Sequence, residues 1–157
     1  MTPYSLSVHE HISIRRPEFV AGGRGSPEMS VFVQTHKHQP PLPSGQICSG
    51  DRVWLKWSGG PIVATARVSG FRELADCSTE QVRATTQGFS LHGLRRYWEK
   101  VDGRYADPFF ACVIYLRGRE MLKRAFDPPE RLSRGASWVI TEPGTVERWR
   151  TVQIRPL

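Results

Sequence analysis

The sequence predicts a mixed α+β domain built around a curled β-sheet, and three observations carry that expectation. The stretch GDRVWLKWSGGPIVATARV at residues 50–68 is a hairpin of two apolar strands around a Ser-Gly-Gly-Pro turn. Both faces of its strands stay apolar, as in a strand enclosed by a closed or half-closed barrel. Further strand-like runs precede and follow it, with helical patterns gathered in the middle. The resulting order of strands, helices, strands differs from the βαβ alternation of a parallel sheet.

Each element has its own local reason. Residues 1–27 contain Pro3, Pro17, Pro27 and the Gly22, Gly23 and Gly25 cluster, so they read as an irregular N-terminal arm with room for one short strand or helix near residues 11–20. The folded domain is expected over residues 28–157. MSVFVQTH, residues 29–36, is β-branched and aromatic and reads as a strand. A loop follows, because Pro40, Pro41 and Pro43 exclude helix and central strand. In the hairpin, Val53, Leu55 and Trp57 point one way and Trp54 and Lys56 the other. After the turn, Ile62, Ala64, Ala66 and Val68 alternate with Val63, Thr65 and Arg67. Ser78 followed by Gln81 is a capping box opening TEQVRATTQ. A second helix is expected over LHGLRRYWEK, with Leu91, Leu94 and Trp98 at core-facing spacing. PFFACVIYLRG returns to strand. A basic segment at residues 119–134, broken by Pro128 and Pro129, leads to two last strand candidates, SWVITE at 137–142 and VERWRTVQI at 146–154.

The chain has 157 residues, a size expected to hold one domain, and carries a net charge of +7. Such a charge favours polyanionic partners, RNA or DNA among them. Residues 1–70 carry 7 Lys and Arg against 4 Asp and Glu, residues 71–114 balance at 6 and 6, and residues 115–157 carry 9 against 5. If the two outer segments meet in the fold, they form one basic face. Cys48, Cys77 and Cys112 are odd in number and far apart, so reduced thiols are expected rather than a zinc knuckle or a disulfide framework. No apolar run approaches the roughly 18 residues of a membrane span, and no signal-peptide stretch opens the chain. A cytoplasmic location without membrane partners is the expectation; nothing in the pattern specifies an oligomeric state.

Taken in order, GDRVWLKWSGGPIVATARV, RRYWEK, RYADPFFACVIYL and SRGASWVI resemble an ASCH domain (activating signal co-integrator homology), a division of the PUA-like superfamily. The resemblance runs from about residue 28 to residue 140. It implies a PUA-like β-pseudobarrel of five to six mostly antiparallel strands with flanking helices, and a cleft between barrel and helices. Members of the superfamily bind RNA or a modified base or nucleoside there; some are amidohydrolases of acylated cytidines and some are ribonucleases. The amidohydrolase pattern has a Gly-Arg-Lys-Thr-like stretch. Here Gly23-Arg24-Gly25-Ser26-Pro27-Glu28 stands in its place, with Gly25 at the lysine position, a departure that argues against that activity.

The expected function is therefore binding of RNA or a modified nucleotide. The alternatives are a hydrolase of the same fold using Lys56, or a protein-interaction domain. Lys56, inside an apolar strand beside Trp54, is a candidate phosphate contact or a desolvated amine. Ser58 and the turn glycines offer backbone N–H groups to an anion; Lys56 and Ser58 are the catalytic candidates if the domain is an enzyme. Trp54, Tyr97 and Tyr105 are candidate stacking partners for a base, with Lys37, Lys56, Lys100, Arg131, Arg134 and Ser137 as polar or phosphate contacts. Tyr97 follows Arg95 and Arg96, whereas Trp98 has core spacing. Glu28 and Glu99 are the carboxylates placed nearest the cleft. His36 and His38 have no third ligand in sight, so no metal is expected, and no cofactor is implied.

Overall fold

A computed structural model describes residues 9–15, 31–86, 108–129, 132 and 137–154. Within these, six strands and two helices follow one another: β1 (Glu10–Arg15), β2 (Val31–His36), β3 (Arg52–Trp57), β4 (Ile62–Cys77), α1 (Thr79–Thr85), β5 (Phe109–Phe126), β6 (Trp138–Thr141) and α2 (Thr145–Ile154). The strands form one sheet in the order β2-β5-β4-β3-β1-β6. Every pairing is antiparallel except β1 with β3. The sheet curls into a half-barrel with helices on its flank, so the expected pseudobarrel is met.

The hairpin forms as its alternation predicts, with one difference. Leu55 pairs with Ala64 but Lys56 pairs with Ile62, so Val63 is an extra residue on β4. This bulge shifts the pattern by one place. Val63 and Ala64 both join the inner core with Val53, Leu55, Ala66 and Val68. Ile62 turns to the outer face and joins Ile12, Trp54, Phe126 and Val146, instead of sharing a face with Ala64.

Strands β4 and β5 run further than expected. They pair along their lengths through several register shifts, so residues 119–126, expected as a basic non-strand segment, are the end of β5. Charged Arg119, Glu120, Lys123 and Arg124 interrupt the apolar Met121, Leu122 and Phe126 there, which hides the period. The stretch VERWRTVQI is also not a strand. After the turn at Pro143 and Gly144 it winds into α2, whose Val146 is fully buried and whose Trp149, three residues on, packs against the outer core. Glu147 and Arg150 pair at 3.6 Å across that helical spacing. At α1 the expected capping box is present: Ser78 Oγ accepts from the Gln81 N–H at 3.2 Å, and Gln81 Oε1 accepts from the Ser78 N–H at 2.7 Å. The helix expected over LHGLRRYWEK lies outside the described residues.

The short strand allowed for near residue 11 is β1, and it sits between β3 and β6 rather than in a loosely packed arm. Ile12 and Ile14 face the outer core. His11, Ser13 and Arg15 therefore face the inside, and His11 and Ser13 are wholly buried. The burial is made tolerable by hydrogen bonds. The Trp138 indole N–H donates to His11 Nδ1 at 3.0 Å, and an indole can only donate. His11 Nδ1 is thus the acceptor, its proton sits on Nε2, and Nε2 donates to Asp51 Oδ2 at 2.8 Å. The same carboxylate oxygen accepts from the Cys48 N–H at 3.0 Å, closing a turn in which Gly50 takes φ +94°, a conformation that favours glycine.

Burial lowers the His11 pKa below its ordinary 6.5, against the raising effect of Asp51. The neutral ring therefore contributes stability that is complete above about pH 6.5 and is lost as pH falls toward the depressed native value, because the unfolded chain then binds the proton more readily. Thermal melts between pH 8 and 5 are expected to show a falling Tm below 6.5. His11→Gln, which can accept from Trp138 and donate to Asp51 without ionising, is expected to flatten that profile.

Candidate functional site

Arg15 is the last inward residue of β1, and in the ladder it stands beside Trp57. Its guanidinium donates through Nη2 to Gln34 Oε1 on β2. Gln34 Nε2 in turn donates to Ser137 Oγ at 2.8 Å, and the Ser137 carbonyl accepts the Ile14 N–H at 2.9 Å. The Arg15 guanidinium also lies 4.9 Å from the centre of the Phe32 ring. β2 and β6 are the two edges of the sheet, so this chain of side chains spans the seam that backbone pairing leaves open. Gln34 is buried, while Arg15, Trp57 and Ser137 are half-buried. The Trp57 Nε1 atom is enclosed and meets no acceptor among the described residues.

Chemically, this end of the seam, the mouth of the half-barrel, offers a planar cationic fork, an amide with both donor and acceptor, and a hydroxyl. That set suits a flat polar ligand carrying negative charge. No group of three His, Cys, Asp or Glu among the described residues could hold a metal ion.

Of the residues singled out from the sequence, Ser137 lies in this network. Lys56 does not. It pairs with Ile14, so it turns to the face opposite Arg15, in a row with Ile14, Ile62 and Phe126. Its Nζ donates to the Trp57 carbonyl at 3.1 Å, and burial lowers its pKa, with Asp127 acting the other way. Ser58 is exposed. Its N–H donates to the Arg15 carbonyl at 2.7 Å and that of Gly60 to the Trp57 carbonyl at 2.9 Å, so two N–H groups expected to hold an anion already hold the turn. No described residue offers the Ser58 hydroxyl a base. Lys37 Nζ donates to the Pro108 carbonyl at 2.7 Å.

Trp54 requires a correction. It is 0 % exposed; Phe126 meets it edge-on at 5.9 Å and the Arg52 guanidinium covers its ring at 5.3 Å. Its Nε1 donates to Glu10 Oε2 at 2.8 Å. No face remains for a base, so Trp54 is a core residue of the outer layer. Tyr97, Lys100, Tyr105, Arg131 and Arg134, with Glu28 and Glu99, lie outside the described residues. His36 Nδ1 accepts the His38 N–H at 3.1 Å. None of Cys48, Cys77 and Cys112 is disulfide-bonded, and burial pushes the Cys112 thiol up to about 12.

Arg15 and Gln34 are not among the residues that the sequence pattern singles out. The signal was present in HISIR, where His11, Ser13 and Arg15 alternate with two isoleucines. That is the pattern of a strand with one polar face, here turned inward.

At the level of sequence, no family model and no curated protein matches the chain. Structures of the same fold are known. The crystal structure of the ASCH protein from Zymomonas mobilis superposes with a TM-score of 0.58 at 16% identity, covering 92% of this chain and 94% of that one. Its variant with a tyrosine replaced by phenylalanine gives 0.62 at 14%, covering 92% and 97%. A variant with a serine replaced by alanine gives 0.61 at 10%, covering 93% and 97%. The chain thus shares the fold of the Zymomonas mobilis ASCH protein, as its motifs lead one to expect; at such identities the likeness is one of fold. Among the described residues no helix is long and apolar enough to cross a membrane.

Two substitutions check these placements. Trp54→Phe is expected to cost about 1–3 kcal/mol of stability through the orphaned Glu10 contact. Lys56→Met is expected to raise Tm at neutral pH, because the native site disfavours the charged amine. The gain should narrow as pH approaches 10.5, the ordinary lysine value, where the charge is lost in both states.

Proposed function

We propose that the domain binds RNA or a modified nucleotide at the mouth of the half-barrel, where Arg15, Gln34 and Ser137 meet. The hydrogen-bonded trio itself carries the reading. It holds an amide and a hydroxyl in fixed orientation, and these groups match the donor and acceptor edge of a base. Beside them it places a guanidinium suited to a phosphate or to stacking. A ligand can exchange its own hydrogen bonds for those of the trio without opening any backbone ladder. The net charge of +7 and the shared ASCH-type fold support the same reading. Tyr97, Lys100, Tyr105, Arg131 and Arg134 enter the proposal as rim residues on their sequence pattern alone, whereas Lys56, on the opposite face, does not.

The hydrolase alternative needs a nucleophile beside Lys56. Its described hydrogen bond is to the Trp57 carbonyl, which is not one, so binding is the reading taken. Fluorescence anisotropy with a labelled single-stranded oligoribonucleotide and with nucleoside monophosphates tests it. Gln34→Ala is expected to weaken binding about tenfold or more, the worth of a good bidentate base contact. Wild-type affinity in folded Gln34→Ala and Ser137→Ala variants would reject the site. Absence of any nucleotide binding, with capture of a protein partner, would favour the interaction-domain alternative.

A further inference from the structure

Arg52 on β3 stands opposite Arg67 on β4, and Arg67 stands opposite Arg117 on β5. Directly paired residues of antiparallel strands share a face, so three guanidinium side chains line up in single file across three strands. Arg52 and Arg67 come from the first basic segment of the chain and Arg117 from the last, so here the two segments do meet. Arg67 and Arg117 are exposed and Arg52 half-buried.

Like charges directly opposite one another repel, and the row itself holds no carboxylate among the described residues. Among the described residues no ion pair involves any of the three. Glu10 on β1 lies at the Arg52 end, accepting the Trp54 indole N–H at Oε2 and the Gly144 N–H at Oε1 at 3.2 Å, so its charge offsets Arg52 more than Arg67 or Arg117. Glu120 stands one row further along, opposite Thr65. Two of the arginines are also held in place. Arg52 lies on the Trp54 ring at 5.3 Å, and Arg67 Nη1 donates to the Gly50 carbonyl at 3.3 Å.

We propose that the Arg52–Arg67–Arg117 row is a track for the phosphodiester backbone of single-stranded RNA. Neighbouring strands lie about 4.8 Å apart, so the row spans roughly 10 Å, the scale of a few successive phosphates. It is one charge wide, which fits one strand rather than the two phosphate walls of a duplex. Bound phosphates relieve the repulsion within the row. This inference rests on the RNA-binding reading and extends it. The row lies on the outer face, at the far end of β3 from Trp57 and Arg15, roughly 17 Å along the strand. A mononucleotide at the mouth does not reach it, whereas an oligonucleotide can.

The test is anisotropy of the labelled single-stranded oligoribonucleotide on the full chain across a salt series. Each phosphate neutralised on a single strand contributes roughly 0.7 to the slope of log K against log salt. Arg67→Gln combined with Arg117→Gln is expected to flatten that slope by roughly 1.4, with Tm unchanged or raised and nucleoside monophosphate affinity unaltered. Arg117→Gln alone, at an exposed position, is expected to give about half of that change and serves if the double variant misfolds. An unchanged slope, with Gln34→Ala still weakening binding, overturns the row and leaves the mouth standing. A flattened slope with Gln34→Ala inert supports the row and removes the mouth. Tighter binding of inorganic polyphosphate than of the oligoribonucleotide at matched phosphate concentration overturns the assignment to RNA. No oligonucleotide binding at low salt overturns both.

Discussion

The Trp138 indole N–H points at the one nitrogen of His11 able to receive it, and that direction fixes the proton on the other nitrogen, which faces Asp51. Three separated parts of the chain meet in this buried relay: β1, the turn before β3, and the start of β6. They are also the parts of the sheet with least support of their own. β1 and β3 form the parallel pair, a pairing slightly weaker than antiparallel and without a hairpin to bring it together. β6 has four residues. A relay of donors and acceptors with fixed polarity gives these strands one arrangement in which the imidazole is satisfied at both nitrogens. A slip of one residue would move His11 to the outer face and Ile12 inward. Asp51 Oδ1 has no partner among the described residues, so the relay contributes specificity of arrangement more than raw stability.

The same strands supply the mouth. Where backbone pairing ends, Arg15, Gln34 and Ser137 bridge the two sheet edges with side chains alone. A seam closed in this way differs physically from one closed by a ladder: its bonds are individually exchangeable, and opening them leaves every strand paired as before. His11 and Ser13 below it are enclosed, so the polar face of β1 grades from a structural relay to an accessible end within five residues. The aromatic groups expected to serve the site divide accordingly. Trp54, on the other face, has its ring covered by Arg52 and Phe126, while Trp57 stands beside Arg15.

Much of this was legible in the chain. The hairpin at residues 50–68, the capping box at Ser78 and the strand at SWVI follow from local pattern, because turn chemistry and side-chain period act within a few residues. Three features were not legible, each for a physical reason. VERWRTVQI has the β-branched content of a strand, and only tertiary contact at Val146 and Trp149 selects the helix. At the end of β5 the charged Arg119, Glu120, Lys123 and Arg124 interrupt Met121, Leu122 and Phe126 and mask the period. The trio depends on contacts as far apart as Gln34 and Ser137, which no local pattern records; Ser137 was found because it opens a strand, Arg15 and Gln34 were not. The three-arginine row was visible only as a statement about charge in two distant segments, and strand pairing was needed to turn it into a line.

The bulge at Val63 has a wider meaning for how this sheet is encoded. A strand is a two-phase signal, and an uninterrupted one commits every second residue to the same environment. By inserting one residue, the chain advances the phase between Ile62 and Ala64 and lets consecutive apolar residues serve two different cores. The hairpin thereby acquires a frame marker. An alignment without the bulge would bring Ile62 inward and leave Lys56 opposite the wrong neighbour, so the run of small apolar residues that makes β4 look featureless has a single reading frame.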